Sequence, residues 1–108
     1  MSFKAKFQPH DVIVDRKEIA AGSTETIIDL TGSDIIAAII YAEIQNVATA
    51  DATVTAGKWK RVVVPKDVWK IEGYIVKPGE KLEIGSNQDI VVNYKIILIP
   101  LTKVEVVL

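Results

Sequence analysis

The chain has 108 residues, of which 49% are hydrophobic, 25% charged and 6% aromatic, and its formal net charge at pH 7 is -1. This length fits a single domain with one core, and the near balance of charge argues against a generic binder of nucleic acids or anionic membranes. The absence of cysteine excludes disulfides and thiolate metal sites.

The N-terminal residues predict an arm followed by the first strand of the domain. Phe3 and Phe7 alternate with lysines, and Pro9 then interrupts the extended pattern. An apolar run follows, and a charged turn is predicted at residues 15–17. We assign residues 1–15 to the arm.

The longest predicted strand covers residues 35–45. Its polar residues fall at a period of two, which favours a strand over a helix. The even-numbered face is apolar throughout, so we expect it to be buried along its whole length; it consists of Ile36, Ala38, Ile40, Ala42 and Ile44. The other face is apolar only over its first half.

Shorter strands are predicted on either side of this one. Apolar and β-branched runs indicate strands at residues 24–30, 52–56, 61–64 and 102–108, and the sequence Gly-Lys-Trp-Lys at residues 57–60 indicates a turn.

Residues 69–100 contain three apolar runs separated by two turns. Lys77-Pro78-Gly79-Glu80 is typical of a type II turn, because proline presets the second position and glycine supplies the positive φ of the third. The second turn is predicted at residues 86–89. We expect the three strands to form one antiparallel meander, with Trp69, Ile71, Gly73 and Ile75 on the core face.

About eight to ten short strands without a linker indicate an all-β domain over residues 1–108, an antiparallel β-sandwich or jelly roll. The last strand is an apolar segment at about 101–108. Residues 35–40 and 96–101 are apolar on both faces, which requires further burial. A partner subunit, most simply another copy, would provide it; loops or the N-terminal arm are the alternative cover.

Apolar residues of the arms and of the doubly apolar strand end are the predicted subunit interface. They are Phe3, Phe7, Ile97, Ile99, Val104, Val106 and Leu108.

Trp59, with Lys58 and Lys60 beside it, is the candidate ligand contact. An exposed tryptophan could stack on a sugar ring, which gives a carbohydrate-binding module as the alternative function. The basic residues around it could instead contact single-stranded nucleic acid or an acidic protein surface, or form a solvated turn.

No catalytic, metal-binding or cofactor-binding motif is found. His10 is the single histidine and has no second ligand nearby in sequence. Paired carboxylates could support glycoside hydrolysis, but Glu72, Glu80 and Glu83 fall in turns or on polar faces. We therefore predict that the protein is not an enzyme and that it has no cofactor.

The order of motifs resembles small virion proteins of tailed phages, such as head-decoration and fibre-like β-sandwich subunits. The resemblance covers roughly residues 24–100 and includes DIIAAIIYAEIQN, DATVTAG, GYIVKPGEKLEI and SNQDIVVNYKIILI. It implies a non-enzymatic, multimeric protein that binds a larger surface.

These observations predict a homo-oligomer, with a trimer as the specific expectation, that stabilises a larger assembly such as a capsid. We expect neither nucleic acid nor a membrane as partner. No apolar run approaches the roughly 18 residues of a spanning helix, and the sequence MSFKAKFQPHD lacks the apolar segment of a secretory signal. The expected location is the virion, or the cytoplasm if the protein is not viral.

Overall fold

A computed structural model describes residues 4–6, 11–100 and 105–107, and within these ranges it contains ten β-strands. They are β1 (Lys4–Lys6), β2 (Asp11–Ile19), β3 (Thr24–Asp29), β4 (Ile35–Asn46), β5 (Ala52–Ala56), β6 (Trp59–Val63), β7 (Val68–Val76), β8 (Lys81–Ser86), β9 (Ile90–Pro100) and β10 (Glu105–Val107).

The strands pair as one long hairpin that has been rolled up. β5 pairs with β6, β4 with β7, β3 with β8, β2 with β9 and β1 with β10, all antiparallel. Two further pairings, β4 with β9 and β5 with β8, produce a first sheet of order β2-β9-β4-β7 and a second of order β3-β8-β5-β6. This is the strand order of a jelly roll, so the predicted antiparallel β-sandwich is confirmed.

The predicted meander at residues 69–100 is wrong. β7 and β9 belong to the first sheet and β8 belongs to the second, so the chain crosses the sandwich at both turns. The type II turn itself is present, since Gly79 has a φ of 83° and the Glu80 N–H donates to the Lys77 carbonyl at 3.0 Å. Turn residues specify that the chain reverses, but they do not specify which sheet receives the next strand.

The core lies between the two sheets and is aliphatic. β-branched side chains suit it because they pack well on a pleated surface. The largest fully buried apolar residues are Ile19, Ile39, Ile44, Val54, Val63, Val76, Ile84, Ile90, Val92 and Ile96. Trp69 is also buried, as its alternation with isoleucine predicted.

β2 is longer than expected and protects its own edge. The predicted charged turn at residues 15–17 lies instead in the middle of this strand. The register places Asp15 opposite Tyr94 and Lys17 opposite Val92, on the side that faces the second sheet. Lys17 Nζ donates to the Thr26 carbonyl at 3.1 Å. Inward charges of this kind oppose pairing with a foreign strand.

Candidate functional site: an apolar sheet face

The outer face of the first sheet carries an apolar patch at the end from which both chain termini leave. One row of side chains crosses all four strands, because Val12 pairs with Ile97, Ile97 with Ala38, and Ala38 with Ile75. A neighbouring row contains Ile36 opposite Ile99. The whole patch comprises Val12, Val14, Ile36, Ala38, Ile40, Ile75, Ile97 and Ile99.

Four members of the patch are markedly exposed. The exposed fractions are 54% for Val12, 65% for Val14, 41% for Ile40 and 50% for Ile75. Scattered exposed aliphatic residues are ordinary, but a contiguous group drawn from four strands is typical of an interaction surface.

A β-bulge in β4 places two consecutive side chains, those of Ile40 and Tyr41, on the outer side. The pairing of β4 with β9 shifts by one residue between Ile39 and Tyr41. Ile39 and Ala42 are both buried, while Ile40 and Tyr41 between them both lie on the outer side. The prediction that the even-numbered face of this strand is buried throughout is therefore wrong up to residue 40, where this face is the outer one. It holds only for Ala42 and Ile44, because the bulge reverses the alternation.

A second irregularity in the adjacent strand turns Ile75 outward. Gly73 has a φ of 69°, a left-handed conformation that glycine adopts easily. Trp69 and Ile71 point inward before it, whereas Val76 is buried after it. The prediction that Ile75 shares the core face is thus wrong.

The rest of this outer face is polar and internally paired. Lys70 Nζ lies 3.1 Å from Glu72 Oε1 and 3.9 Å from Glu43 Oε1, and the contact with Glu72 is the main cause that raises the pKa of Lys70. Arg16 forms an ion pair of 3.2 Å with Glu18. Lys95 lies on the same face opposite Val14 and Tyr41, so it marks the border between the apolar patch and its polar neighbours.

Two of the predicted interface residues lie in this patch. Ile97 and Ile99 are half-buried on the outer face. Of the others, Val106 lies in β10 with its backbone opposite Ala5; the remaining four, Phe3, Phe7, Val104 and Leu108, lie outside the described residues.

Trp59 lies in β6 rather than in the predicted turn, which is restricted to Gly57 and Lys58. Its indole is 47% exposed and packs edge-to-face on Tyr74, with ring centroids 5.2 Å apart and an interplanar angle of 85°. Lys58 lines a cleft of about 330 Å³ together with Tyr74, and Lys60 is exposed on the other side of β6.

The carboxylates considered for catalysis each make a local structural contact. Glu72 pairs with Lys70, and Glu83 pairs with Lys81 at 3.2 Å. Glu80 Oε1 accepts a hydrogen bond from the Lys77 N–H.

Over the described ranges, no three histidine, cysteine, aspartate or glutamate residues gather where they could hold a metal ion. In the same part of the chain no helix is long and apolar enough to cross a membrane.

The sequence predicts only Ile97 and Ile99 of the patch as interface residues. Val12 and Val14 form part of an apolar run with no predicted role, and the alternation assigns Ile36, Ala38, Ile40 and Ile75 to buried faces. The available signal was Gly73, because a glycine inside a strand pattern often marks an irregularity that re-aims its neighbours.

Comparison with known proteins gives no relative from which a function could be taken. The chain matches no protein-family model, and no curated protein is similar to it.

Proposed function

We propose that this protein is a non-enzymatic structural subunit that self-associates and stabilises a larger assembly, a virion being the assembly that the motif order favours. The apolar patch carries this proposal. Because it is contiguous, burying it against other copies of this chain removes apolar surface from water, and the long side chain of Lys95 at its border can keep its ammonium group in water. The expected product is a closed homo-oligomer, specifically a trimer.

The backbone conformation beneath the patch supports a binding role for it. Continuing the inward alternation of Trp69 and Ile71 would have pointed Ile75 at the core, where burial of such a side chain contributes about 1.5–3 kcal/mol. The left-handed Gly73, which lies opposite the bulge in β4, instead turns it out. Bulges commonly re-aim side chains at functional sites.

Light scattering coupled to size exclusion, at several concentrations, tests self-association. We expect the wild-type chain to have the mass of a closed oligomer and Ile75→Asp to shift it toward the monomer. Because Ile75 is half exposed, this variant should still fold. Val47→Asp is the matched control: Val47 is 51% exposed and lies outside the patch, so the mass should not change.

Two results would contradict the self-association. One is a wild-type monomer at every concentration, and the other is an equal shift of mass in Ile75→Asp and Val47→Asp. The assembly role has its own test, quantitative mass spectrometry of particles from the natural source. A structural subunit should be present in a fixed copy number per particle.

One observation favours the carbohydrate-binding alternative, the half-exposed indole of Trp59 beside the cleft. The perpendicular packing on Tyr74 means that the two rings do not form a common flat platform. Binding on a glycan array that disappears in Trp59→Ala would favour this alternative over the structural role.

A further inference from the structure

β6 is an edge strand whose outer side chains are exposed to an unusual degree. Among the described residues it pairs only with β5, and four of its five residues are exposed. The exposed fractions include 47% for Trp59 and 56% for Val62, and Val64 just beyond the strand is 49% exposed. This edge belongs to the second sheet, so it is separate from the apolar patch.

The register shows which backbone groups of β6 are free. The two-residue turn Gly57-Lys58 is closed by the pair Ala56 and Trp59, and the positive φ of Gly57, 58°, fits a type II′ turn. Residues that flank such a turn exchange both hydrogen bonds, and the next pair does not. The N–H and C=O groups of Lys60 and Val62 therefore point away from β5. None of the backbone hydrogen bonds within residues 11–100 involves them outside the ladder.

The charge along β6 and its flanking residues is of one sign, although Lys58 shares its cleft with Glu80 and Glu83. The segment from Gly57 to Lys66 contains four basic residues, and no acidic residue occurs between Asp51 and Asp67. The basic residues are Lys58, Lys60, Arg61 and Lys66. None of them takes part in the ion pairs found within the described part of the chain.

The positive charge of β6 indicates which kind of strand can pair with its free edge. Lysine on an edge strand opposes pairing with an identical edge, so a second β6 is disfavoured. An acidic strand would instead place two consecutive carboxylates opposite Lys60 and Arg61, one on each face of the sheet, and opposite charges in cross-strand positions are stabilising. Val62 on the face of Lys60 and the Trp59 ring on the face of Arg61 supply apolar contacts for the residues that flank these carboxylates.

We propose that the free edge of β6 is a strand-addition site for an extended acidic segment of a partner protein. Main-chain hydrogen bonds from Lys60 and Val62 provide affinity, and the basic side chains provide selectivity. The site does not depend on self-association through the apolar patch, so either one can fail without the other.

A fluorescence-anisotropy titration with a short labelled peptide, in which pairs of glutamates alternate with pairs of valines, tests the site. We expect binding that weakens as salt is added and that falls about tenfold in the double variant Lys60→Glu, Arg61→Glu. The matched control is Lys77→Glu in the β7–β8 turn, which should bind as the wild type does.

Backbone variants separate strand addition from charge attraction. Val62→Pro removes one outward N–H without breaking a bond to β5, and proline is tolerated at such edge positions. It should abolish binding while leaving the circular dichroism spectrum unchanged. A peptide N-methylated at alternate residues should also fail to bind.

Three outcomes would overturn the proposal. They are no binding to the wild type, undiminished binding of the peptide to Val62→Pro, and binding of a single-stranded oligonucleotide in place of the acidic peptide. The last would assign the basic edge to nucleic acid instead.

Discussion

At the residue scale, Asn46 joins the end of β4 to two loops. Its side chain is fully buried, and Nδ2 donates to the carbonyls of Ala50 and Val63, both at 2.8 Å. Oδ1 accepts from the Ala48 N–H at 2.8 Å. Both the amide nitrogen and the amide oxygen therefore have hydrogen-bond partners, and this offsets the cost of burying a polar group.

Replacing Asn46 by alanine would leave three backbone groups without their partner. We expect the free energy of unfolding to fall by about 2–4 kcal/mol, measured by urea denaturation. Asn87→Ala is a useful comparison, because Asn87 Oδ1 accepts one exposed hydrogen bond from Thr53, and a smaller loss is expected. Equal losses would mean that the burial of Asn46 is irrelevant.

Lys66 occupies a position that suits glycine. The Asp67 N–H donates to the Val64 carbonyl at 3.0 Å, and Lys66 has a φ of 68°. With Pro65 before it, this is the pattern of a type II turn. Lys66→Gly should therefore raise the free energy of unfolding by up to about 1 kcal/mol, seen as a higher thermal midpoint. The opposite change, Gly79→Lys in the other type II turn, should lower it.

Tyr94 makes the free energy of unfolding depend on pH in the alkaline range. Burial raises the pKa of its phenol, and the neighbouring Asp15 carboxylate raises it further. The unfolded chain releases this proton near pH 10 and the folded chain only above that. Stability is thus full below about pH 10 and falls as the pH rises toward the folded pKa.

Urea denaturation between neutral pH and pH 11 measures this dependence. Tyr94→Phe removes the ionisable group and should flatten the alkaline decline, at the cost of the long 3.4 Å contact with Asp15. An equally steep decline in the phenylalanine variant would show that other groups are responsible.

At the scale of elements, Gly73 and the bulge at Ile40 belong together. β4 and β7 keep one register along their whole pairing, although β4 has an extra residue relative to β9. The irregularity in β7 lies opposite the bulge, so both strands reverse their alternation at the same level of the sheet.

Gly73→Ala tests this element. A Cβ at this position would meet no atom within 4 Å, so only the backbone conformation is strained. We expect a loss of about 1–2 kcal/mol in the free energy of unfolding. Glu72→Ala, in the preceding position, should change it by less than about 0.5 kcal/mol. A neutral Gly73→Ala would show that the left-handed conformation is not required.

The sequence predicts where the strands lie well, but it predicts poorly which face of each strand is buried. Strand periodicity and turn residues predicted β5 at its observed bounds and β4 to within a residue. The outward isoleucines could not be predicted, because a bulge is decided by how three neighbouring strands fit together and not by the strand itself. For the same reason the sequence predicts an unbroken alternation over residues 69–76 and not the reversal at Gly73. Ile97 and Ile99 were recognised since their strand is regular.

At the scale of the whole molecule, the C-terminal strand has no place in either sheet of the sandwich. β10 pairs with β1 in a separate two-stranded sheet. Removing residues 101–108 should therefore leave the thermal midpoint of the sandwich nearly unchanged and weaken self-association, as measured by light scattering. If the truncated protein kept the oligomeric state of the full-length protein, the interface role predicted for the C-terminal segment would be contradicted.

The nested pairing also determines how the protein responds to force. Because β2 and β9 are antiparallel, Asp11 and Leu98 are paired neighbours at the end of the ladder nearest the termini. A pull on the two termini would load this ladder one hydrogen bond at a time, so it would unzip at low force. A pull across the face of the first sheet would not load the hydrogen bonds in sequence. A molecule held by its two ends would therefore open along the β2–β9 ladder at low force.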